Sequence, residues 1–110
     1  MIGTAKITEA QFLAQVIQLA KLRSWRVAHF RPAMTRTGRW VTAVQGDGKG
    51  FPDLLLLRGK TQIVCELKVG NRGLTEEQQE WIAAFQETGV RAYCWRPSDW
   101  DSIEWILETA

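Results

Sequence analysis

Two acidic residues and a lysine lie on neighbouring segments that can pair as a β-hairpin. Asp53 precedes one apolar segment, Gly59-Lys60 is a turn signal, and Glu66 and Lys68 end the next apolar segment. A two-residue turn of type II′ favours glycine at its first central position, and this turn places Asp53 opposite Glu66. Directly opposed residues project to the same side, with Cβ atoms about 4.5 to 5.5 Å apart. The pattern therefore predicts that two carboxylates converge.

The residue types on this hairpin face indicate metal chemistry. Side chains alternate along a strand, so Lys68 lies on the same side as Glu66. Like charges that face each other destabilise a sheet unless a cation lies between them. A hard divalent ion such as Mg²⁺ suits carboxylate oxygens and can generate a hydroxide nucleophile beside a phosphate. The alternative is a structural role, in which Glu66 forms an ion pair with Lys68 or Arg58.

The same residues resemble the PD-(D/E)xK nuclease signature, through Pro52-Asp53 and Glu66-Leu67-Lys68. Residues 50–54, 74–78 and 95–97 around them are similar to the VRR-NUC branch of that superfamily, particularly its small stand-alone members in phages and bacteria. The resemblance extends from about Thr8 to about Leu107, and short motifs become more specific when their order and context also match. It implies a restriction-endonuclease-like core and hydrolysis of DNA.

The resemblance also implies roles for individual residues. Asp53, Glu66 and the backbone carbonyl of Leu67 are expected to bind Mg²⁺, with Mn²⁺ as an expected substitute. Lys68 is expected to position or deprotonate the attacking water. Glu9 on the first helix is expected to complete the metal site. A glutamate in a first helical turn also suits the helix dipole, and Gln15 is the alternative polar residue.

Gln78 has two interpretations. Family resemblance gives it a catalytic role, in which it projects from the second helix and orients Lys68 or a water. The run Thr75-Glu76-Glu77-Gln78 is also a capping box, in which Gln78 returns a hydrogen bond to the cap residue. Both roles are compatible.

The elements that must position these residues follow the order α-β-β-β-α-β-α. Helical spacing predicts a first helix capped by Thr8, and a capping box predicts a second one from Thr75. A last helix is expected with Ser98 as its cap. The strands are predicted over residues 25–30, 51–68 as a hairpin, and 90–96, and residues 33–50 are predicted to be a long loop or ragged hairpin. This order matches the restriction-endonuclease-like core that the resemblance implies, an α/β fold with a mixed four-stranded sheet flanked by helices.

Length and composition predict one domain over residues 1–110 in a reducing compartment. The chain has 110 residues, of which 45% are hydrophobic, enough for one core. Cys65 and Cys94 each fall inside a predicted strand, which favours buried thiols over a disulfide. No apolar run is long enough to span a membrane, and we expect a cytoplasmic protein of a bacterium or a phage-infected cell.

Basic residues are concentrated before the hairpin. From residue 21 to residue 49 the chain has seven lysines and arginines against one acid, Asp47, whereas from Gly50 onward ten acids outnumber six bases. Cations beside an acidic metal site are suited to holding a polyanionic backbone, although the alternative is an ordinary solvated loop. The residues that we expect to contact nucleic acid are His29, Arg31, Arg36, Arg39 and Lys49.

The resulting hypothesis is a Mg²⁺-dependent DNA endonuclease. The resemblance implies selectivity for branched DNA such as four-way junctions, and cutting two strands favours a homodimer with two sites. A nickase, a flap nuclease or an exonuclease would use the same residues. Two competing hypotheses are a non-catalytic nucleic-acid-binding module on the same fold and a metal-dependent hydrolase of nucleotides.

Overall fold

The computed structural model describes residues 6–30, 33–34, 36–41 and 45–110. Three helices and six strands occur within these ranges, together with one turn of 3₁₀ helix at Pro97–Asp99. The elements in chain order are α1 (Glu9–Leu22), β1 (Arg26–His29), β2 (Ala33–Met34), β3 (Trp40–Val41), β4 (Leu54–Arg58), β5 (Thr61–Leu67), α2 (Glu76–Glu87), β6 (Arg91–Trp95) and α3 (Trp100–Thr109).

Four strands form a mixed sheet in the order β1-β4-β5-β6. The first three are antiparallel neighbours, and β6 lies parallel to β5 after the crossover through α2. Strands β2 and β3 form a separate two-stranded antiparallel pair within the segment for which the sequence predicts a loop or ragged hairpin. Around the main sheet the element order is α-β-β-β-α-β-α, which confirms the predicted fold class.

The turn between β4 and β5 has the predicted form. Arg58 pairs with Thr61 and Leu54 pairs with Cys65, so the register is that of a two-residue turn. Gly59 has a φ of +57°, and Lys60 does not have a positive φ, as a type II′ turn requires. Continuing the same register by one residue places Asp53 opposite Glu66.

Apolar side chains cover both faces of the sheet. On one face, Leu54, Ile63 and Leu67 pack with Phe12 of α1 and Ile103 of α3 in the larger core cluster. On the other face, α2 packs over the sheet through a smaller cluster of Val64, Ile82 and Ala92. Because residues of one strand alternate between the faces, Glu66 belongs to the face that α2 covers. The carboxylates therefore lie on the α2 side, at the end of the hairpin opposite the turn.

Local capping explains where two of the helices begin. The side chains of Thr8 and Thr75 each accept a hydrogen bond from the backbone three residues later, and a glutamine returns the bond in both capping boxes. The prediction that Ser98 caps the last helix is wrong. Pro97 instead starts a 3₁₀ turn, the carboxylate of Asp99 accepts a hydrogen bond from the Arg96 amide at 2.9 Å, and α3 begins only at Trp100.

Both cysteines are free thiols that differ in burial. Cys65 is buried, which raises the pKa of its thiol well above the usual value, whereas Cys94 is only partly buried. Within the residues that the structure describes, every helix is too short or too polar to cross a membrane.

Candidate active site

A cavity of about 310 Å³ lies beside the open end of the β4-β5 hairpin. It is bounded by the start of α1, the end of β1, the hairpin, the segment after β5 and the first turn of α2. The lining residues are Glu9, Ala10, Leu13, His29, Asp53, Glu66, Leu67, Lys68, Arg72 and Gln78. All four predicted catalytic residues are therefore in one cavity, together with all the predicted metal ligands.

Asp53 and Glu66 are held at this cavity by the hairpin itself. The backbone carbonyl of Asp53 accepts a hydrogen bond from the Phe30 amide at 2.9 Å, which ties it to the end of β1. Its Oδ2 atom accepts a second one from the Leu67 amide at 2.9 Å. Glu66 is only 3% exposed because it lies on a central strand under α2. The hairpin register and these hydrogen bonds therefore hold both carboxylates at the cavity.

The two oxygens of Glu66 have different surroundings. Oε2 accepts a hydrogen bond from Gln78 Nε2 at 3.2 Å and lies 3.7 Å from Lys68 Nζ. Oε1 is buried and has no hydrogen-bond partner among the described residues. The ion pair with Lys68 that the structural alternative requires is thus present, but it does not satisfy Oε1. A buried acceptor without a partner is costly, and a hard cation would provide one.

Burial and a neighbouring charge act together on Glu66. Burial is the largest of several causes that raise the pKa of Glu66 from 4.5 to about 8. The Asp53 carboxyl group is the next cause, Lys68 lowers the pKa, and Glu9 raises it slightly. An acid in this environment favours either a proton or a cation. The donor set, two carboxyl groups beside a lysine, therefore fits a hard divalent metal ion.

Gln78 forms the predicted capping box and also contacts Glu66 in the cavity. Its Oε1 atom accepts a hydrogen bond from the Thr75 amide at 2.9 Å, which completes the capping box. Its Nε2 atom donates to the Oε2 atom of Glu66. The two ends of one amide group therefore join the start of α2 to the carboxylate.

Glu9, rather than Gln15, lines the cavity from α1. Glu9 is exposed in the first turn of the helix, and Gln15 is exposed outside the cavity. Among the described residues, however, no three histidine, cysteine or acidic side chains lie close enough together to hold a metal ion. Asp53 and Glu66 form the carboxylate pair, and Glu9 lies further away at the rim.

The loop before Asp53 is anchored on α2. Gly50 has a φ of +81°, and a Cβ atom at this position would lie 2.6 Å from the Cβ atom of Glu77. Trp81 Nε1 donates to the carbonyls of Asp47 and Lys49, at 2.9 and 3.2 Å. The ring of Phe51 contacts the Trp81 ring edge-on. Glycine is therefore required where the backbone passes closest to the helix, and this contact leads directly into Asp53.

The predicted nucleic-acid contacts are distributed over several places. His29 lines the cavity from the end of β1. Arg36 and Arg39 are exposed and do not line it. Lys49 is exposed, with its Nζ atom 3.8 Å from the Glu77 carboxylate. Arg31 lies outside the described residues.

Arg72 is a lining residue that sequence reasoning did not identify. It belongs to the run Gly70-Asn71-Arg72-Gly73, for which the sequence predicts only a turn. The sequence offers only one signal for a site role of Arg72, which is that it follows Lys68 by four residues. Outside a helix or a strand, such a spacing does not predict where a side chain lies. Its position depends on contacts with Arg96, which is far away in the sequence.

Comparison with known proteins gives one family. The model of the VRR-NUC domain matches residues 9–98 of the chain, which include every residue that lines the cavity. No curated protein and no solved structure matches the chain significantly.

Proposed function

The chain belongs to the VRR-NUC family, a membership that implies a PD-(D/E)xK nuclease, and we propose that it is a Mg²⁺-dependent DNA endonuclease. The reaction is hydrolysis of a phosphodiester bond at the cavity beside the β4-β5 hairpin. The observation that supports metal dependence most directly is the buried Glu66 Oε1 atom, which has no partner among the described residues and belongs to the same cavity as Asp53.

Asp53, Glu66 and the backbone carbonyl of Leu67 would hold the metal ion in this proposal. When bound, Mg²⁺ supplies an activated water and neutralises charge that develops on the phosphate. The hairpin register brings the two carboxylates together, and the Leu67 amide fixes Asp53 through its hydrogen bond. Glu66 keeps its orientation because Gln78 and Lys68 both approach its Oε2 atom.

Lys68 and Gln78 complete the catalytic set. Lys68 is 6% exposed and lines the cavity, with its amino group 3.7 Å from Glu66 Oε2. It would position the attacking water and stabilise charge on a non-bridging phosphate oxygen, as a preorganised group in a site with little water can. Gln78 would act by orienting Glu66 and Lys68. Glu9, at the edge of the cavity, would bind the metal ion through a water.

We propose branched DNA, such as a four-way junction, as the substrate and a homodimer as the active form. The support comes from the resemblance to small stand-alone members of the family and from stoichiometry. One cavity cuts one strand at a time, so cuts in two strands of a junction require two cavities, which a two-fold symmetric dimer provides. The products would carry a 5′-phosphate and a 3′-hydroxyl.

Cleavage of end-labelled duplex, flap, fork and four-way DNA tests this proposal, with Mg²⁺, Mn²⁺ or a chelator present. Asp53→Asn and Glu66→Gln remove charge but keep shape and hydrogen bonding. We expect each to reduce cleavage at least roughly a hundred-fold, while DNA binding in chelator survives. Gln15→Ala, a change outside the cavity on α1, is the matched control. Full activity of the Asp53 or Glu66 variant would exclude this site.

The oligomeric state has a separate test. Light scattering after size exclusion gives the mass, and mixed dimers of wild-type and Asp53→Asn chains should nick one strand of a junction without cutting its partner strand. Complete resolution of junctions by a monomer would exclude the dimer but leave the catalytic residues unaffected.

A non-catalytic DNA-binding module is the second candidate. The exposed arginines near β2 and β3 are compatible with it, because phosphate contacts alone give binding. The paired carboxylates are less compatible, since acids repel a phosphate backbone when no metal ion lies between them. Binding without cleavage of every DNA in the panel, in both metals, would favour this candidate.

A further inference from the structure

We propose that Arg72 is a phosphate-binding residue at the mouth of the cavity and that Arg96 is its positioning residue. This inference rests on the proposed function, and it assigns a substrate contact in the same site. The expected ligand is a phosphate group of the DNA strand, next to the phosphate at which the strand is cleaved.

The backbone that carries Arg72 is held by a side chain from the other end of the fold. Arg96 Nη1 donates to the carbonyl of Gly70 at 3.3 Å, and Arg96 Nη2 donates to the carbonyl of Arg72 at 2.6 Å. Gly70 has a φ of +63°, which turns the chain three residues after the end of β5. Two donors from one rigid guanidinium therefore fix both ends of a three-residue segment.

Arg96 is itself fixed against the sheet. Its amide donates to the Asp99 carboxylate at 2.9 Å, and it directly follows Trp95, whose carbonyl accepts the Lys68 amide at 3.0 Å. Segment 68–72 is thus hydrogen-bonded to the end of β6 in two places. Trp95 binds its first residue, and Arg96 binds the carbonyls of Gly70 and Arg72. This arrangement keeps Arg72 at a defined place relative to Lys68.

The side chain of Arg72 is available for an external anion. It lines the cavity, it is exposed, and its guanidinium forms no ion pair with any described residue. Lys68 is different, because it is buried and lies 3.7 Å from Glu66. Arginine presents a planar fork of donors that matches two phosphate oxygens. Its guanidinium is therefore suited to a phosphate at the solvent side of the cavity.

The charges of the cavity explain why such a residue is useful. Glu9, Asp53 and Glu66 line it together with Lys68 and Arg72. Before a metal ion binds, the carboxylates of Glu9 and Asp53 oppose the approach of a polyanion, and Lys68 lies 3.7 Å from Glu66. Of the two basic side chains, Lys68 and Arg72, Arg72 is the exposed one and can therefore contact an approaching DNA strand from the solvent side. Arg72 should therefore contribute equally to binding of the ground state and of the transition state. Removing its side chain should raise KM more than it lowers kcat.

The test measures DNA binding of Arg72→Ala, Arg72→Lys and Arg91→Ala by fluorescence anisotropy in chelator over a range of salt concentrations. Arg91 is an exposed arginine at the start of β6, at the far end of the sheet strand, and serves as the matched control. We expect Arg72→Ala to weaken binding about ten-fold and to reduce the slope of log affinity against log salt by about 0.9. Arg72→Lys should keep the slope and lose part of the affinity.

The positioning role of Arg96 is tested by a double-variant comparison. Arg96→Ala should weaken DNA binding in the wild-type background but add little in the Arg72→Ala background, because both changes remove the same contact. A purely structural role would lower the melting temperature and affinity equally in both backgrounds. That result would overturn the assignment of Arg96.

The outcomes for Arg72 and for the proposed function can be distinguished. If Arg72→Ala matches Arg91→Ala in affinity and salt slope while the wild type still cleaves DNA in an Asp53-dependent way, the assignment of Arg72 is wrong and the nuclease remains. If the wild type binds DNA but never cleaves it, an Arg72-dependent salt slope still supports the contact, and only the catalytic proposal fails.

Discussion

Replacing Glu66 by glutamine should change how the stability of the metal-free protein depends on pH. Glu66 is almost fully buried, and burial, followed by the nearby Asp53 carboxyl group, raises its pKa from 4.5 to about 8. In the unfolded chain the group has its ordinary pKa. Between these two values the folded protein holds a proton that the unfolded chain has released.

The sign of the effect follows from proton counting. Because the folded state binds more protons between pH 4.5 and about 8, the free energy of unfolding falls as pH rises through this window. Below the window both states are protonated at Glu66, so the contribution is fully present there. Each pKa unit corresponds to about 1.4 kcal/mol, so the loss across the window should reach a few kcal/mol. This is a large part of a stability of roughly 5–15 kcal/mol.

Urea unfolding followed by tryptophan fluorescence, in chelator at several pH values across the window, measures this loss. Glu66→Gln removes the titrating group, so its stability relative to the wild type should increase as pH rises. Glu80→Gln, the same chemical change at an exposed site on α2, is the matched control. Saturating Mg²⁺ should restore wild-type stability at high pH, because the cation replaces the proton. Parallel profiles for the wild type and Glu66→Gln would refute the reasoning.

Four further substitutions test the loop before Asp53, the packing of the fold and the proposed DNA contacts. Gly50→Ala should lower the free energy of unfolding by roughly 1–3 kcal/mol and slow cleavage. Gly38→Ala, at a similar φ of +82° with no described atom within 4 Å, is the control and should leave cleavage unchanged. Equal effects of the two substitutions would show that φ alone matters. Arg58→Met should lower the free energy of unfolding in urea by roughly 2–4 kcal/mol, because it removes hydrogen bonds to several backbone carbonyls and the contact of the guanidinium with the Trp25 ring. An unchanged unfolding midpoint would contradict this. Arg36→Ala and Arg39→Ala should each weaken DNA binding and flatten its salt dependence, and an unchanged slope would remove them from the interface.

The part of the site that can be predicted from sequence is the part that depends on local rules. Gly59 specifies a two-residue turn, and a two-residue turn fixes the register of every pair that follows it along the hairpin. The convergence of Asp53 and Glu66 is therefore a consequence of one glycine and of period-two alternation. The start of α2 is predictable for a similar reason, since its capping box is contained in four consecutive residues.

The parts that cannot be predicted depend on contacts between distant residues. Arg72 is held by Arg96, 24 residues later in the chain, and no local pattern relates the two. The alternative ion pair between Glu66 and Arg58 is wrong. Arg58 lies at the turn end of β4, about 17 Å of strand away from Asp53. There it donates to carbonyls at the end of α3, which only the packed fold brings to it.

The cap of α2 determines which oxygen of Glu66 would face a cation in the proposed site. Gln78 must present its carbonyl oxygen to the Thr75 amide to complete the capping box, and this requirement directs its NH₂ group toward Glu66. Reversing the amide would place an acceptor against the carboxylate and a donor against the backbone amide, so both hydrogen bonds would be lost together. Because Gln78 and Lys68 both approach Oε2, the atom without a hydrogen-bond partner in the described part of the chain is Oε1. In the proposed metal site, the start of α2 therefore determines the direction from which a metal ion would bind Glu66.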